Sequence, residues 1–332
     1  MLGSNLAYSA IKSSNEIVVV DNLSKSGGAE NLKWLQKHGD ITFHNVDIAN
    51  IEAIEKIIKD FLPDVIFHVA GQVAMTKSIE DPRYDFNTNT LGSFNILEAL
   101  RKYCPNSTII YSSTNKVYGD LEYIDYIESD MRYTAKNYKN GFDSKTGIDL
   151  TTPYGCSKGA ADQYFLDYAR VFNLNTVVLR HSTIYGSRQF ATLDQGWIGW
   201  FCKKAIETKN RNQEHRFTIS GNGKQVRDIL HVSDAVTLYN LLVDNIKTVR
   251  GKVFNVGGGI TNSFSLLELF QFLENQIGQT LEFEKLNPRK SDQKFFVCNL
   301  EEIYSSVKWK PLVSKEDGVS EALEWSKYTN TL

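Results

Sequence analysis

Tyr154 and Lys158 stand four residues apart in the run Tyr154-Gly155-Cys156-Ser157-Lys158. On a helix the phenol and the ammonium share one face, about one turn apart. A free tyrosine, with an ordinary pKa of about 10, is a poor base at neutral pH, and a neighbouring positive charge favours its phenolate. Such a pair can take a proton from an alcohol and return it. The spacing alone is common on solvated helix faces. It gains weight from Tyr111-Ser112-Ser113-Thr114-Asn115-Lys116-Val117-Tyr118-Gly119, where an apolar run enters a hydroxyl-rich turn upstream of the pair.

These residues need a scaffold that brings a strand end against a helix. Apolar runs of strand length recur at Ile17–Val20, Ile41–Phe43, Val65–Val69, Thr108–Tyr111 and Thr176–Leu179. Between them, 51–61, 90–102 and 157–172 carry apolar residues at helical spacing with polar opposite faces. This alternation predicts an α/β fold, a Rossmann-type doubly wound parallel sheet covered by helices. After Arg180 the pattern loosens into Gly-, Asn- and aromatic-rich segments, with a return to strand and helix character over 228–256. The expected division is a sheet lobe of 1–179 with 228–256, and a smaller, discontinuous C-terminal lobe of 180–227 and 257–332 that holds the substrate. The polar stretch 128–150 reads as a long surface insertion near the mouth of the site.

A doubly wound sheet binds dinucleotides beyond the carboxyl ends of its strands. Val18-Val19-Val20-Asp21 ends a strand in an acid suited to ribose hydroxyls, and a carboxylate there favours NAD over NADP. Asp47-Ile48 follow the next strand, and His68-Val69-Ala70-Gly71 the one after, at positions that line an adenine and pyrophosphate cleft. Gly3 reads as the last glycine of a turn that offers backbone amides to a pyrophosphate. The strand and the two glycines that should precede it are not in the sequence. That strand would be the central one, between Ile17–Val20 and Val65–Val69, so two facing edges are expected to lack a partner. About ten upstream residues, an apolar strand ending in a glycine-rich turn, are expected to encode it.

Composition narrows the partners. A formal net charge of -2 and a pI of about 6.3 leave no excess of Lys and Arg for nucleic acid or an anionic membrane. Cys104, Cys156, Cys202 and Cys298 lie far apart without a C-x-x-C pair, and no basic-plus-apolar leader is present, which points to a reduced, cytoplasmic protein. The histidines are scattered without ligand spacing, so no metal is expected. No apolar run is long enough to span a bilayer. Oligomeric state is left open, a homo-oligomer included.

The Thr114 turn joined to Tyr154 and Lys158 resembles the active site of the extended short-chain dehydrogenases, in the branch of NAD-dependent epimerases and dehydratases. His68-Val69-Ala70-Gly71-Gln72, Asn89 with Gly92 and Asn95, Gln225-Val226-Arg227-Asp228 and Phe254-Asn255-Val256-Gly257-Gly258 resemble further landmarks of that family over nearly the whole chain. The resemblance implies that Thr114, Tyr154 and Lys158 are catalytic and that Lys158 also meets the nicotinamide ribose. It implies cofactor contacts from Gly3, Asp21, Asn22, Asp47, Ile48, Ala70, Gly71, Gln72, Asn89, Tyr154, Lys158 and His181. It implies substrate contacts from Thr114, Asn115, Gln189, Gln195, Arg227 and Arg289, the two arginines meeting a nucleotide diphosphate.

Family dehydratases place an Asp and a Glu directly after the active-site threonine, whereas this chain has Asn115 and Lys116. Gly71 to Thr76, Arg180-His181-Ser182, Arg188 to Ala191 and Asp194 to Trp197 are similar to members that invert carbon 2 of a CDP-hexose, converting CDP-paratose to CDP-tyvelose. In that reaction a transient ketone forms and is reduced on its other face, so NAD is regenerated. Two alternatives remain: a UDP-glucose type 4-epimerase using the same Tyr154 chemistry, and a non-catalytic nucleotide-sugar-binding relic.

Overall fold

A computed structural model describes residues 1–210, 216–289 and 291–329. Helix α1 (Leu2–Lys12) leads to β1 (Val18–Val20), α2 (Gly28–Gln36), β2 (Thr42–His44), α3 (Ile51–Phe61) and β3 (Val65–His68). Then α4 (Met75–Glu80), α5 (Pro82–Phe86), a π-turn at Asn87–Leu91 and α6 (Gly92–Tyr103) precede β4 (Thr108–Thr114). A 3-10 turn at Asn115–Tyr118, a hairpin of β5 (Tyr126–Glu128) and β6 (Tyr133–Ala135), and α7 (Thr152–Val171) lead to β7 (Asn175–His181). The second half comprises β8 (Thr183–Tyr185), α8 (Trp197–Asn210), β9 (Phe217–Ser220), β10 (Val226–His231), α9 (Val232–Asp244), α10 (Ile246–Val249) and β11 (Val253–Val256). It ends in β12 (Ser263–Ser265), α11 (Leu266–Ile277), β13 (Phe283–Leu286), β14 (Phe295–Phe296), α12 (Glu301–Val307) and α13 (Lys315–Thr329).

Four parallel strands in the order β11-β7-β4-β3 form the main sheet. In β4 the period-2 alternation sends Ile109 and Tyr111 into one buried cluster, with α3, α6 and α7, and Ile110 into the other, with α1 and α9. Both faces are thus covered, as a parallel sheet requires. The β1–β2 pair is parallel but stands apart, and no described strand joins β1 to β3. The two edges expected to lack a common partner do lack one among the described residues.

The second lobe holds its own apolar cluster, with Ile198, Phe201, Phe217, Phe270, Leu273 and Val319 at its centre. Three features differ from the sequence-based division. Residues 229–231 pair with β8 in the second lobe, and the return to the main sheet begins only with α9 and is completed by β11. Helix α12 and Trp309, assigned to the second lobe, pack with Leu6 and Tyr239 on the main sheet, where Trp309 Nε1 donates to the Asp234 carbonyl at 3.2 Å. The stretch 128–150 is more than a surface excursion: Phe142 is fully buried against Phe295 and Phe296, and its amide donates to the Val297 carbonyl at 2.7 Å. That crossing needs Gly141, with φ +86°, because a Cβ would lie 2.3 Å from the Val297 oxygen. No helix among the described residues is long and apolar enough to cross a membrane.

Candidate active site

Strand β4 ends at Thr114, and the 3-10 turn starts there because Thr114 Oγ1 accepts the Lys116 amide at 3.2 Å. The cap fixes the hydroxyl at the carboxyl end of the sheet. Helix α7 opens with Pro153, which suits a first turn that has no intrahelical partner for its N–H groups. One turn later it lays Lys158 on β4: the ammonium donates to the Ser112 carbonyl at 2.6 Å and lies 4.2 Å from the Tyr111 ring centre. Tyr154 is buried and hydrogen-bonded with Thr114. The fold therefore gathers the three residues expected to be catalytic.

Burial dominates their electrostatics. It pushes the Tyr154 phenol up to about 12, with the Thr114 hydrogen bond pulling it back and the Asp85 charge adding to the rise. It brings the Lys158 ammonium down to about 7, against the carboxylates of Asp162 and Asp85, which support the charge. Tyr154 in this pocket becomes a base only beside further positive charge. Asp162 is itself paired with Arg180, through two bonds of 2.9 Å on a pair with almost no exposure.

The cofactor candidates line the strand ends above β1, β2 and β3. Helix α1 begins without a side-chain cap, leaving its first N–H groups open, and a Cβ on Gly3 would lie 3.1 Å from Val69. Asp21 follows β1, with one oxygen taken by the Leu23 amide at 2.7 Å. Asn22 donates to Asp47 at 2.9 Å, which ties the ends of β1 and β2 together. The Ile48 side chain is core, and its carbonyl accepts from Asn95. Ala70 packs on the same cluster. At Gly71 a Cβ would come within 3.0 Å of Asn89 Oδ1 and 3.9 Å of Lys158 Nζ, so only bare backbone leaves this edge open to a ligand. His181 stacks on Tyr239 and contacts its hydroxyl at 2.9 Å; burial, with the Lys158 charge, brings the imidazole to about 3 and keeps it neutral. Its buried Nδ1 has no partner among the described residues.

Two of the cofactor candidates turn their side chains inward. The Gln72 side chain is fully buried and spent on Ala74 and Asp85, while Asn89 is spent on the Gln72 backbone, Asp85 and Ser157. Both side chains are buried with their N–H donors spent on the protein, so they shape the cleft from behind. The open α1 terminus, the Asp21 carboxylate, the close approach at Gly71 and the Lys158 ammonium still fit NAD: helix amides for the pyrophosphate and hydrogen-bonding groups for the two riboses.

At the opposite end, Arg227 Nη2 meets Asp292 Oδ1 at 2.7 Å, and Lys116 Nζ lies 3.6 Å from the same oxygen. Arg289 is exposed and adds a third positive charge near Lys116 and Asp292. Burial brings Lys116 down to about 8, with Asp292 opposing. Asn115 is turned into the lobe junction, its amide donating to Gln293 at 2.9 Å. Gln189 and Gln195 are not brought to this cluster. Gln189 lies on a strap whose neighbours Arg188 and Phe190 pack on Asn31, Trp34, Gly27 and Trp325, and its carbonyl accepts from Trp325 at 2.7 Å. Gln195 pairs through its backbone with Thr192. The strap lies beside the segment that follows Asp21, because Arg188 stacks on aromatic rings there.

Lys116, Asp292, Asp85 and Ser157 were not singled out by sequence reasoning as site residues. Lys116 carried a usable signal, a lysine in the position where dehydratases carry an acid. Asp85 carried none, since an acid in a polar helical stretch reads as solvated.

A family model described as the NAD dependent epimerase/dehydratase family matches residues 1–257. The chain is 52% identical over 325 residues to a CDP-paratose 2-epimerase of Salmonella typhi, covering 98% of this chain and 96% of that protein. It is 30% identical to a putative UDP-glucose 4-epimerase of Methanocaldococcus jannaschii, covering 99% and 96%. Among solved structures, a UDP-glucose 4-epimerase of Thermotoga maritima with UDP-glucose superposes with a TM-score of 0.84 at 27% identity, over 99% and 96% of the two chains. The chain therefore belongs to the NAD-dependent epimerase/dehydratase family, and its cofactor is NAD.

Proposed function

We propose that this nucleotide-sugar epimerase inverts carbon 2 of a CDP-hexose, converting CDP-paratose to CDP-tyvelose. The observation that carries the reading is the 52% identity, over nearly both full chains, to a protein of that activity. Bound NAD supplies a hydride acceptor that later returns the same hydride. Thr114 donates a hydrogen bond to the reacting sugar oxygen and holds it against Tyr154. The Tyr154 phenolate takes the hydroxyl proton and gives it back after the sugar has turned its other face. Lys158 holds positive charge beside the phenol, and with the cationic nicotinamide ring it offsets the rise that burial imposes. Arg227, Arg289 and Lys116 receive the substrate diphosphate, for which charged forks and ammonium groups suit phosphate oxygens. Asn115 and Lys116 offer no carboxylic acid or carboxylate for eliminating water, which disfavours dehydration. Asp21 sets a carboxylate where NADP would carry its 2'-phosphate, so NAD is preferred. The four cysteines form no disulfide, in keeping with a cytoplasmic enzyme.

The test is to incubate the purified protein with NAD and CDP-paratose, and separately with UDP-glucose, and to follow the sugar stereochemistry by NMR. Inversion at carbon 2 without release of free NADH is expected. Inversion only of UDP-glucose at carbon 4 would make the protein a 4-epimerase, and binding without turnover of either would make it a binding protein.

A further inference from the structure

Asp85 lies in α5 with no exposed surface. Its Oδ1 accepts from Gln72 Nε2 at 2.8 Å and from Asn89 Nδ2 at 3.1 Å, and its other oxygen accepts the Ser157 hydroxyl. Ser157 precedes Lys158, and its Oγ lies 3.2 Å from the Tyr154 carbonyl. The π-turn at Asn87–Leu91 brings Asn89 into this set, so the cofactor edge at Gln72, helix α5 and the first turn of α7 meet on one carboxylate. Neutral acceptors would satisfy the same donors; what a carboxylate adds is charge. Asp85 forms no ion pair among the described residues, whereas Asp162, the other acid beside Lys158, is paired with Arg180. A charge buried without a contact partner is costly to keep unless a neighbour uses it.

We propose that Asp85 is a positioning residue that acts through Lys158 and Tyr154: its hydrogen bonds lock the first turn of α7, and its charge joins that of Asp162 in keeping Lys158 an ammonium. The inference rests on the proton-transfer roles given above to Tyr154 and Lys158. The charged and titratable groups that face Asp85 are Lys158 and Tyr154 from α7, Tyr111 from β4 and Lys25 from the segment after β1. Lys158 is faced in addition by Asp162, by the Tyr111 ring and by His68 and His181, both of which burial keeps neutral.

The sign follows from Coulomb's law. Removing a negative charge lowers the pKa of every group it faces, so Tyr154 ionises and Lys158 loses its proton at lower pH. Both limbs of the activity profile then move in the same direction, downward. Asp85→Asn isolates this effect: its oxygen can keep the Gln72 and Asn89 bonds, and its amide can donate to Ser157, whose hydrogen turns to the Tyr154 carbonyl. On CDP-paratose, both limbs of the kcat profile should fall by about half to one pH unit, with little change in the unfolding midpoint. A second arm needs no substrate. In NAD-loaded protein the near-ultraviolet tyrosinate band that Tyr154→Phe removes should titrate lower by a similar amount in Asp85→Asn. Ser157→Ala, which cuts the bond to α7 and keeps the charge, should lower kcat and leave the limbs in place. Limbs and tyrosinate midpoint unmoved in folded Asp85→Asn, or moved equally by Ser157→Ala, would overturn the proposal. Wild-type protein inert toward CDP-paratose would instead overturn the substrate reading, while the tyrosinate titration still decides the role of Asp85.

Discussion

Lys158 is buried and Lys116 half-buried, and both ammonium groups are brought down, to about 7 and about 8, chiefly by loss of solvent, yet the protein holds them differently. Lys158 sits on a 20-residue helix against the longest strands of the main sheet, bonded to a strand carbonyl, with carboxylates acting from beyond contact. Lys116 sits in a 3-10 turn, bonded to the Ser291 carbonyl at 3.2 Å and paired with Asp292, which it shares with Arg227. Regular elements thus position the proton-transfer end. Side chains on loops, satisfied by one another, position the diphosphate end. A rigid network suits a reaction that tolerates little misplacement, whereas exchangeable ion pairs suit a ligand that must displace them.

The sharpest division between the two ends should appear with Tyr154→Phe. Turnover should fall by about 10²–10⁴-fold while affinity for CDP stays within a few fold, because the change removes a proton carrier and little contact surface. Steady-state rates beside a CDP titration test this, and an unchanged kcat would remove Tyr154 from the chemistry.

Acid should then strike the rigid end. His68, bonded to Ser93 at 2.8 Å, and His181 are held neutral at about 3, with burial the main cause and Lys158 the second. A folded pKa below the unfolded value contributes stability that is complete above pH 6.5 and lost as pH falls toward the folded pKa. Each histidine should cost about 1.4 kcal/mol per pH unit in that window, so the pair should cost about 2–3 kcal/mol between pH 6 and pH 5. Urea unfolding at the two pH values reads this directly, and equal stabilities would contradict the buried neutral state.

At the exchangeable end, Arg227→Ala should weaken CDP binding by about 10–100-fold, the loss of charge-assisted bonds to phosphate, with kcat at saturation little changed. A fall in kcat with unchanged affinity would move Arg227 to the other end of the comparison. The smallest effect belongs to Asp292→Asn. It frees Arg227 and Lys116 from a carboxylate that a diphosphate must displace, so CDP should bind about 2–5-fold tighter by calorimetry. Weaker binding would make Asp292 a ligand contact rather than a placeholder.

Much of the rigid end was legible in the sequence. The strand runs, the Thr114 turn, the common helix face of Tyr154 and Lys158 and the acid after β1 are properties of neighbouring residues, and periods of 2 and 3.6 write them into adjacent positions. The diphosphate arginines were legible as residue types, through resemblance, without the Asp292 and Lys116 that bind them together. The inward bonding of Gln72 and Asn89 and the burial of Phe142 in the insertion 128–150 were not legible.

The chain by itself determined the main strands and covering helices of the sheet lobe, and which two side chains share the first turns of α7. Only the tertiary structure decided that Asp85 would meet Ser157, that Asn115 would turn to Gln293 and that Arg188 would clasp α2. Local geometry repeats every few residues and so leaves a pattern. A contact between segments far apart in sequence exists only once both have packed, and a buried carboxylate differs from a solvated one in its surroundings alone.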